Sequence, residues 1–206
     1  MRYGMVVDLK GCIGCQTCTV ACKTAHNLPK GVWRNRVDTA GGDSPDTAGG
    51  DYPNNTMMWY PVACQHCEDP ACVAVCPAAA TWKDPETGIV HQDTDKCIGC
   101  KSCIGACPYE GVRTYLEDEP AYYIDFALGD DGEPEHLKGT VEKCTFCDGR
   151  LEKGEIPACM ELCIGRARFW GDLDDPESEV SKLIAEREFE QLLPDEGTGP
   201  AVYYLV

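Results

Sequence analysis

Cys97-Ile98-Gly99-Cys100-Lys101-Ser102-Cys103-Ile104-Gly105-Ala106-Cys107-Pro108 decides how the rest of this chain is read, through its C-x2-C-x2-C-x3-C-P spacing. Thiolates are soft ligands that suit both iron and zinc, so residue type alone leaves the metal open. The spacing separates them. Three cysteines at intervals of three wrap as a loop around one iron–sulfur cubane, each thiolate on its own iron. Gly99 permits turn conformations that a Cβ would obstruct. Cys107, at the start of a helical turn, reaches away to a second cluster, and Pro108 fixes the exit direction. A structural zinc site more usually shows two C-x2-C pairs separated by a knuckle.

Three further runs end on the same x3 gap. Cys12, Cys15, Cys18 and Cys22 repeat the spacing, with Gly14 in the place of Gly99 and Lys23 where a proline is expected. Cys64, Cys67, Cys72 and Cys76 are spaced x2, x4, x3 and are followed by Pro77. Cys144, Cys147, Cys159 and Cys163 are spaced x2, x11, x3. In two-cluster ferredoxins the first three cysteines of a run hold one cluster and the fourth crosses to the other. That rule gives cluster 3 from Cys64, Cys67, Cys72 and Cys107, and cluster 4 from Cys76, Cys97, Cys100 and Cys103. The outer runs then have only each other. Cluster 1 takes Cys12, Cys15, Cys18 and Cys163, and cluster 2 takes Cys22, Cys144, Cys147 and Cys159. Sixteen cysteines serve four 4Fe-4S clusters with none left over. Neither zinc nor disulfides would place an x3 fourth cysteine in every run. A zinc-stabilised scaffold is the reading from another class, and colour separates the two, since clusters turn the protein brown.

The expected fold is α+β, with two ferredoxin-like units, one inserted between the two chain ends that form the other. Residues 1–60 together with 141–206 make the outer unit, 61–115 the inner unit, and 116–140 an acidic excursion. Arg2 to Leu9 reads as a strand with Tyr3, Met5 and Val7 on one face. Residues 34–56, rich in Gly, Asp, Pro and Asn, read as a long surface loop, either contacting a larger partner or a solvated insertion. Met57–Ala63 and Gly88–His91 read as strands, and Tyr122–Phe126 as one strand of a hairpin. Asp175-Pro176-Glu177 reads as a helix start, with Val180, Leu183 and Ile184 on the buried face. The tail 199–206 reads as a terminal strand. His66, between two cysteines, lacks the second histidine of a Rieske centre and reads as a packing residue or a neighbour of the ligands. Lys10, Lys23, Lys96, Lys101, Lys143, Arg166 and Arg168 lie near ligands, where positive charge would raise cluster potentials.

The net charge of −17 over 206 residues argues against nucleic-acid binding, which demands a basic face. It fits a soluble chain or a salt-adapted source. No apolar run approaches the roughly 20 residues that span a bilayer. Met1-Arg2-Tyr3-Gly4-Met5 runs straight into Val6-Val7-Asp8 and a cysteine motif, so neither a signal peptide nor a twin-arginine leader is expected. Many of the apolar residues are the cysteines themselves, so folding should lean on cluster ligation. No catalytic constellation is evident: the four histidines are scattered and no Gly-rich phosphate loop occurs.

The whole chain resembles the four-cluster ferredoxin-like electron-transfer subunit of dimethyl sulfoxide reductase-class molybdopterin oxidoreductases. The resemblance is carried by Met5-Val6-Val7-Asp8, Glu142-Lys143-Cys144-Thr145-Phe146-Cys147, Gly171-Asp172-Leu173-Asp174-Asp175-Pro176 and Gly197-Thr198-Gly199-Pro200. The last two segments are similar to small subunits of arsenate, polysulfide and catechol-processing enzymes. Members of the nitrate reductase branch replace one cysteine by tryptophan; here Cys76, Cys97, Cys100 and Cys103 are all present. The resemblance implies a large catalytic partner carrying a pterin-bound molybdenum or tungsten, and in many members a membrane-anchor, quinone-reactive subunit. It implies location on the extracytoplasmic face of the membrane by co-export with that partner, the alternative being cytoplasmic. The competing expectation is the equivalent four-cluster subunit of a hydrogenase or carbon monoxide dehydrogenase complex.

Overall fold

The computed structural model describes residues 1–41 and 47–206. The elements follow the cysteine runs. Strand β1 (Tyr3–Asp8) leads into the first run, whose last two cysteines ride on helix α1 (Thr17–Ala25). Strands β2 (Asn35–Ala40) and β3 (Met58–Ala63) come next, and β3 delivers the chain to the run beginning at Cys64. Helix α2 (Ala71–Ala74) carries Cys72; β4 (Thr81–Lys83) and β5 (Val90–Gln92) form the hairpin before the central run; α3 (Ser102–Gly105) carries Cys103. Strands β6 (Arg113–Tyr115) and β7 (Val141–Lys143) flank the acidic excursion. Helices α4 (Asp148–Leu151) and α5 (Ala158–Glu161) follow, the latter carrying Cys159. Strand β8 (Arg168–Asp172), helix α6 (Glu179–Glu186), β9 (Phe189–Glu190) and β10 (Val202–Leu205) complete the chain.

One four-stranded sheet, ordered β8-β1-β10-β9, gathers the two chain ends. β1 pairs antiparallel with β8, Val6 opposite Phe169, and parallel with β10, Val6 opposite Tyr203. Alternation puts Met5 and Val7 on the face that packs with Cys18, Cys159, Phe146 and Tyr204, beside the partly buried Tyr3. Val6, on the other face, packs under α6 with Val180 and Leu205. Both faces of β1 are therefore covered, as befits a central strand. The remaining strands form hairpins: β2 with β3, β4 with β5, and β6 with β7. The last joins Arg113–Tyr115 to Val141–Lys143 across the whole excursion.

Three local expectations are corrected. The loop expected over 34–56 begins with strand β2, paired with β3 from Asn35↔Ala63 to Ala40↔Met58. The Gly- and Asp-rich tract that suggested a loop starts only after it, and 42–46 lie outside the described residues. Tyr122–Phe126 forms no strand but a series of bends, with Tyr123 and Phe126 exposed. Helix α6 is capped by Ser178, whose Oγ accepts from Ser181 N at 3.2 Å, whereas the Asp175 carboxylate accepts from Glu177 N in the turn before it. Serine wins because its hydroxyl sits one residue before the first helical turn.

Candidate iron–sulfur centres

The residue before the second cysteine of each run has a left-handed backbone: Gly14 (φ 66°), His66 (φ 44°), Gly99 (φ 68°) and Phe146 (φ 61°). That conformation turns the chain so that the flanking thiols face the same side. Glycine fills it in the first and central runs. In the other two an aromatic ring does, and His66 and Phe146 meet edge to face at 5.2 Å in the interior. A Cβ on Gly99 would lie 2.3 Å from the Gly139 carbonyl oxygen, a backbone atom that cannot step aside. Gly99→Ala is therefore expected to lose the cluster of that loop, lowering iron from about 16 to about 12 per chain. Gly105→Ala, which meets nothing within 4 Å in α3, should retain full iron content and serves as the control.

The thiols gather in four places. Cys12, Cys15, Cys18 and Cys163 line one cavity, together with Gly165 and Arg168. Cys76, Cys97, Cys100 and Cys103 line another, with Ala80 and Val141. Cys22 lies close enough to Cys144, Cys159 and Cys147 for their charges to act on it. Cys67 is related in the same way to Cys64, Cys72 and Cys107. Helix packing accounts for the assembly: α1 lies on α5, and α2 on α3. Neighbouring gatherings also touch. Cys18 adjoins Cys159, Cys64 adjoins Cys144, and Cys72 packs with Cys103. The order is thus first, second, third, fourth. Cys15 and Cys100 are exposed and belong to the two end gatherings, whereas Cys22, Cys64, Cys67, Cys72, Cys147 and Cys159 are buried.

Burial pushes the Cys67 and Cys144 thiols up to about 11, and pushes Cys22, Cys147 and Cys159 upward too. Without metal such thiols keep their protons, and a thiolate there requires a metal to displace the proton. At the exposed ends Thr17 and Ser102 hydroxyls lower Cys15 and Cys100 instead. Among the described residues no three His, Cys, Asp or Glu side chains converge on a point as ligands of a single ion would. Cubane ligands are spread wider, because each takes a separate iron, so the donor set fits 4Fe-4S clusters.

Of the basic residues expected near ligands, only Lys143 and Arg168 are buried, at 1% and 5% exposure. Lys10, Lys96, Lys101 and Arg166 are exposed. Lys23 instead bonds the carbonyls of Pro29 and Val32, at 2.7 and 3.0 Å, and holds the loop after α1. His66 is a neutral packing residue: Val90 N donates to its Nδ1 at 3.1 Å, and burial, with Lys143 nearby, depresses its pKa well below the ordinary histidine value.

Two of the four histidines, His26 and His136, meet in space. His136 Nδ1 lies 2.8 Å from Glu142 Oε1 and its Nε2 2.9 Å from the His26 carbonyl. His26 Nε2 stands 3.2 Å from Cys147 Sγ. Its Nδ1 is 2.8 Å from the Glu133 carboxylate, too poorly aligned to count as a hydrogen bond. Arg34 donates to Glu142 Oε2 from Nε and Nη2, at 3.1 and 2.6 Å. Burial alone would raise the Glu142 pKa; the His136 hydrogen bond and the Arg34 charge reverse that and hold it at about 2. Sequence reasoning missed this network and Arg113, because their partners are remote in the chain and no local spacing marks them.

The 4Fe-4S dicluster domain family matches this chain twice, at residues 55–122 and 89–164. The Cys12–Cys22 run lies outside both segments but inside the similarity to full-length relatives. A Halobacterium salinarum protein assigned as a dimethyl sulfoxide reductase iron-sulfur subunit is 48% identical, over 99% of this chain and 79% of its own length. The arsenate respiratory reductase iron-sulfur subunit ArrB of Shewanella sp. is 40% identical, over 100% of this chain and 96% of its own. A selenate reductase subunit of Mesobacillus selenatarsenatis is 42% identical, over 100% and 72%. The dicluster matches imply four 4Fe-4S clusters, and sixteen cysteines, many of them buried, fit that number. The chain belongs to the family of iron–sulfur electron-transfer subunits of molybdopterin-type reductases.

Proposed function

We propose that this chain relays single electrons between a large catalytic subunit carrying a pterin-bound molybdenum or tungsten and a second redox partner. That second partner is a membrane-anchor, quinone-reactive subunit or a soluble carrier. The carrying observation is the order of the four thiol gatherings, with exposed Cys15 and Cys100 at the ends and buried cysteines between. When bound, the clusters supply one-electron carriage. The protein supplies insulation in the middle and access at the ends, where exposed Ile13 and Ile98 stand beside the end cavities.

The ligand sets proposed are Cys12, Cys15, Cys18 and Cys163; Cys22, Cys144, Cys147 and Cys159; Cys64, Cys67, Cys72 and Cys107; and Cys76, Cys97, Cys100 and Cys103. The domain reading follows from them: an outer unit of 1–60 and 141–206, an inner unit of 61–115 inserted into it, and the excursion 116–140. It is supported by the β1–β8 pairing, by α1 on α5, and by α2 on α3. The β6–β7 hairpin ties the two units together at the excursion. No helix of the described residues is long and apolar enough to cross a membrane. Placement on the extracytoplasmic face rests on co-export with the catalytic subunit. The relatives' names point to an oxyanion or sulfoxide as the substrate of the complex.

Anaerobically purified protein should contain about 16 iron and about 16 acid-labile sulfide per chain. Dithionite titration followed by EPR should show several interacting centres. Substrate reduction should appear only when a molybdenum- or tungsten-containing subunit is added, because fully ligated clusters keep no open coordination position. Steady turnover by the chain alone would overturn the relay reading.

A further inference from the structure

Three buried cations stand one at each interval of the four thiol gatherings. Arg168, the first residue of β8, is 5% exposed. Its Nη1 lies 3.5 Å from Cys159 Sγ and 3.5 Å from Met5 Sδ, and its Nη2 donates to Asn35 Oδ1 at 2.8 Å. Cys18 and Cys163 also lie close enough to act on the same guanidinium. Arg113, the first residue of β6, is also 5% exposed. It donates to Gln92 Oε1 at 3.2 Å and Thr81 Oγ1 at 3.3 Å, and Cys72, Cys64 and Cys103 lie close enough to act on its charge. Lys143 donates to the carbonyls of Val90 and Cys144, and Cys64, Cys144 and Cys72 lie close enough to act on its charge. The two arginines hold equivalent places in the repeat, each opening the strand that follows the closing cysteine of a run.

None of the three forms an ion pair with a carboxylate among the described residues, although the chain holds 35 Asp and Glu. Arg34 differs, since Glu142 neutralises it. A buried cation without a counter-charge is costly, so its compensation has to come from what it faces. Cysteine sulfurs lie near all three, and Lys143 also acts on the Asp148 carboxylate. An arginine remains charged at any working pH, so it offers a fixed positive charge rather than a proton.

We propose that Arg168, Lys143 and Arg113 are intercluster cations: each places a positive charge at one interval of the relay, raises the reduction potentials of the two flanking clusters and leaves the other two largely unmoved. This rests on the ligand sets proposed above. A cation between two clusters stabilises an added electron on either one, so both members of the pair become easier to reduce. These are positioning residues for charge, not ligands.

The test is EPR-monitored redox titration of the full chain carrying Arg168→Gln, Lys143→Gln or Arg113→Gln, alongside Arg168→Lys and Arg113→Lys. Signals are assigned with Cys15→Ser and Cys100→Ser, which alter the two end clusters. Arg168→Gln should shift clusters 1 and 2 by at least about tenfold in reduction equilibrium constant, which is about 59 mV for one electron, toward lower potential. Arg113→Gln should do the same to clusters 3 and 4, and Lys143→Gln to clusters 2 and 3. The lysine variants should recover more than half of each shift. No shift, equal shifts in all four clusters, or shifts in a non-flanking pair would overturn the assignment. If a glutamine variant fails to hold its iron, full iron in the matching lysine variant supports a need for charge, and loss in both makes the residue a packing element and sinks the idea. Wild-type iron far from about 16 would instead sink the ligand sets on which it rests.

Discussion

Cys163→Ser is expected to disturb the cluster held near the opposite end of the chain, by Cys12, Cys15 and Cys18, and to lower iron from about 16 toward about 12 per chain. The separation is large in sequence and small in space. Antiparallel pairing sets Val7 beside Arg168 and Tyr3 beside Asp172, so the segment after Cys163 runs back along the strand that leads to Cys12. Cys163 then lines the same cavity as Cys12, Cys15 and Cys18. Cys159, only one helical turn earlier on α5, lies outside that cavity and acts on Cys22 and Cys147, while also adjoining Cys18. The proposed ligand sets thereby assign two cysteines four residues apart to different centres. The measurement is EPR of the reduced protein compared with Cys15→Ser and Cys144→Ser. The Cys163→Ser spectrum should lose the features lost in Cys15→Ser. A match to Cys144→Ser would show that each outer run closes on its own cluster and would remove the crossed assignment.

How much was legible in the sequence depended on the range of the interaction concerned. Cluster type and number were legible because a cubane constrains cysteines three residues apart, and that signature survives in every run whatever surrounds it. Strand β1 was legible because Met5 and Val7 alternate, and helix α6 because Val180, Leu183 and Ile184 repeat at helical spacing. Strand β2 was not. Arg36 and Asp38 alternate with Asn35 and Val37, but the tract that follows dilutes the pattern, and its pairing with β3 spans the loop between them. The potential-tuning environment was least legible of all. Lys143 and Arg168 were noticed through sequence proximity, together with Lys10, Lys96, Lys101 and Arg166, which turn out exposed. Arg34 and Arg113 carry no motif, and what marks them is burial beside sulfur, a property only the folded chain defines. The same holds for His136, which meets His26 and Glu142 only because the excursion folds back on the end of α1.

That polar network sets the largest expected effect on stability. Glu142→Leu should destabilise the chain by about 3–5 kcal/mol, because it leaves the Arg34 guanidinium buried without its counter-charge. Arg34 is 4% and Glu142 3% exposed, so solvent cannot take over the lost partner. Arg34 Nη1 already lacks a hydrogen bond, and the substitution would free Nε and Nη2 as well. His136 would lose the acceptor for Nδ1 while keeping the His26 carbonyl at Nε2. The charge of Arg34 also acts on Cys22, so the damage should fall on the second cluster before the others. Thermal bleaching of the cluster absorption should move down on the order of 10 °C in a chain of this size. The double variant Arg34→Met with Glu142→Leu should recover much of the loss, since replacing a whole buried pair by apolar groups is often close to neutral. A Glu142→Leu chain as stable as the parent would mean that water compensates the charge of Arg34 once the carboxylate is gone. A double variant no better than Glu142→Leu alone would mean that the network acts through the shape of the site, and that the unpaired charge is not what destabilises it.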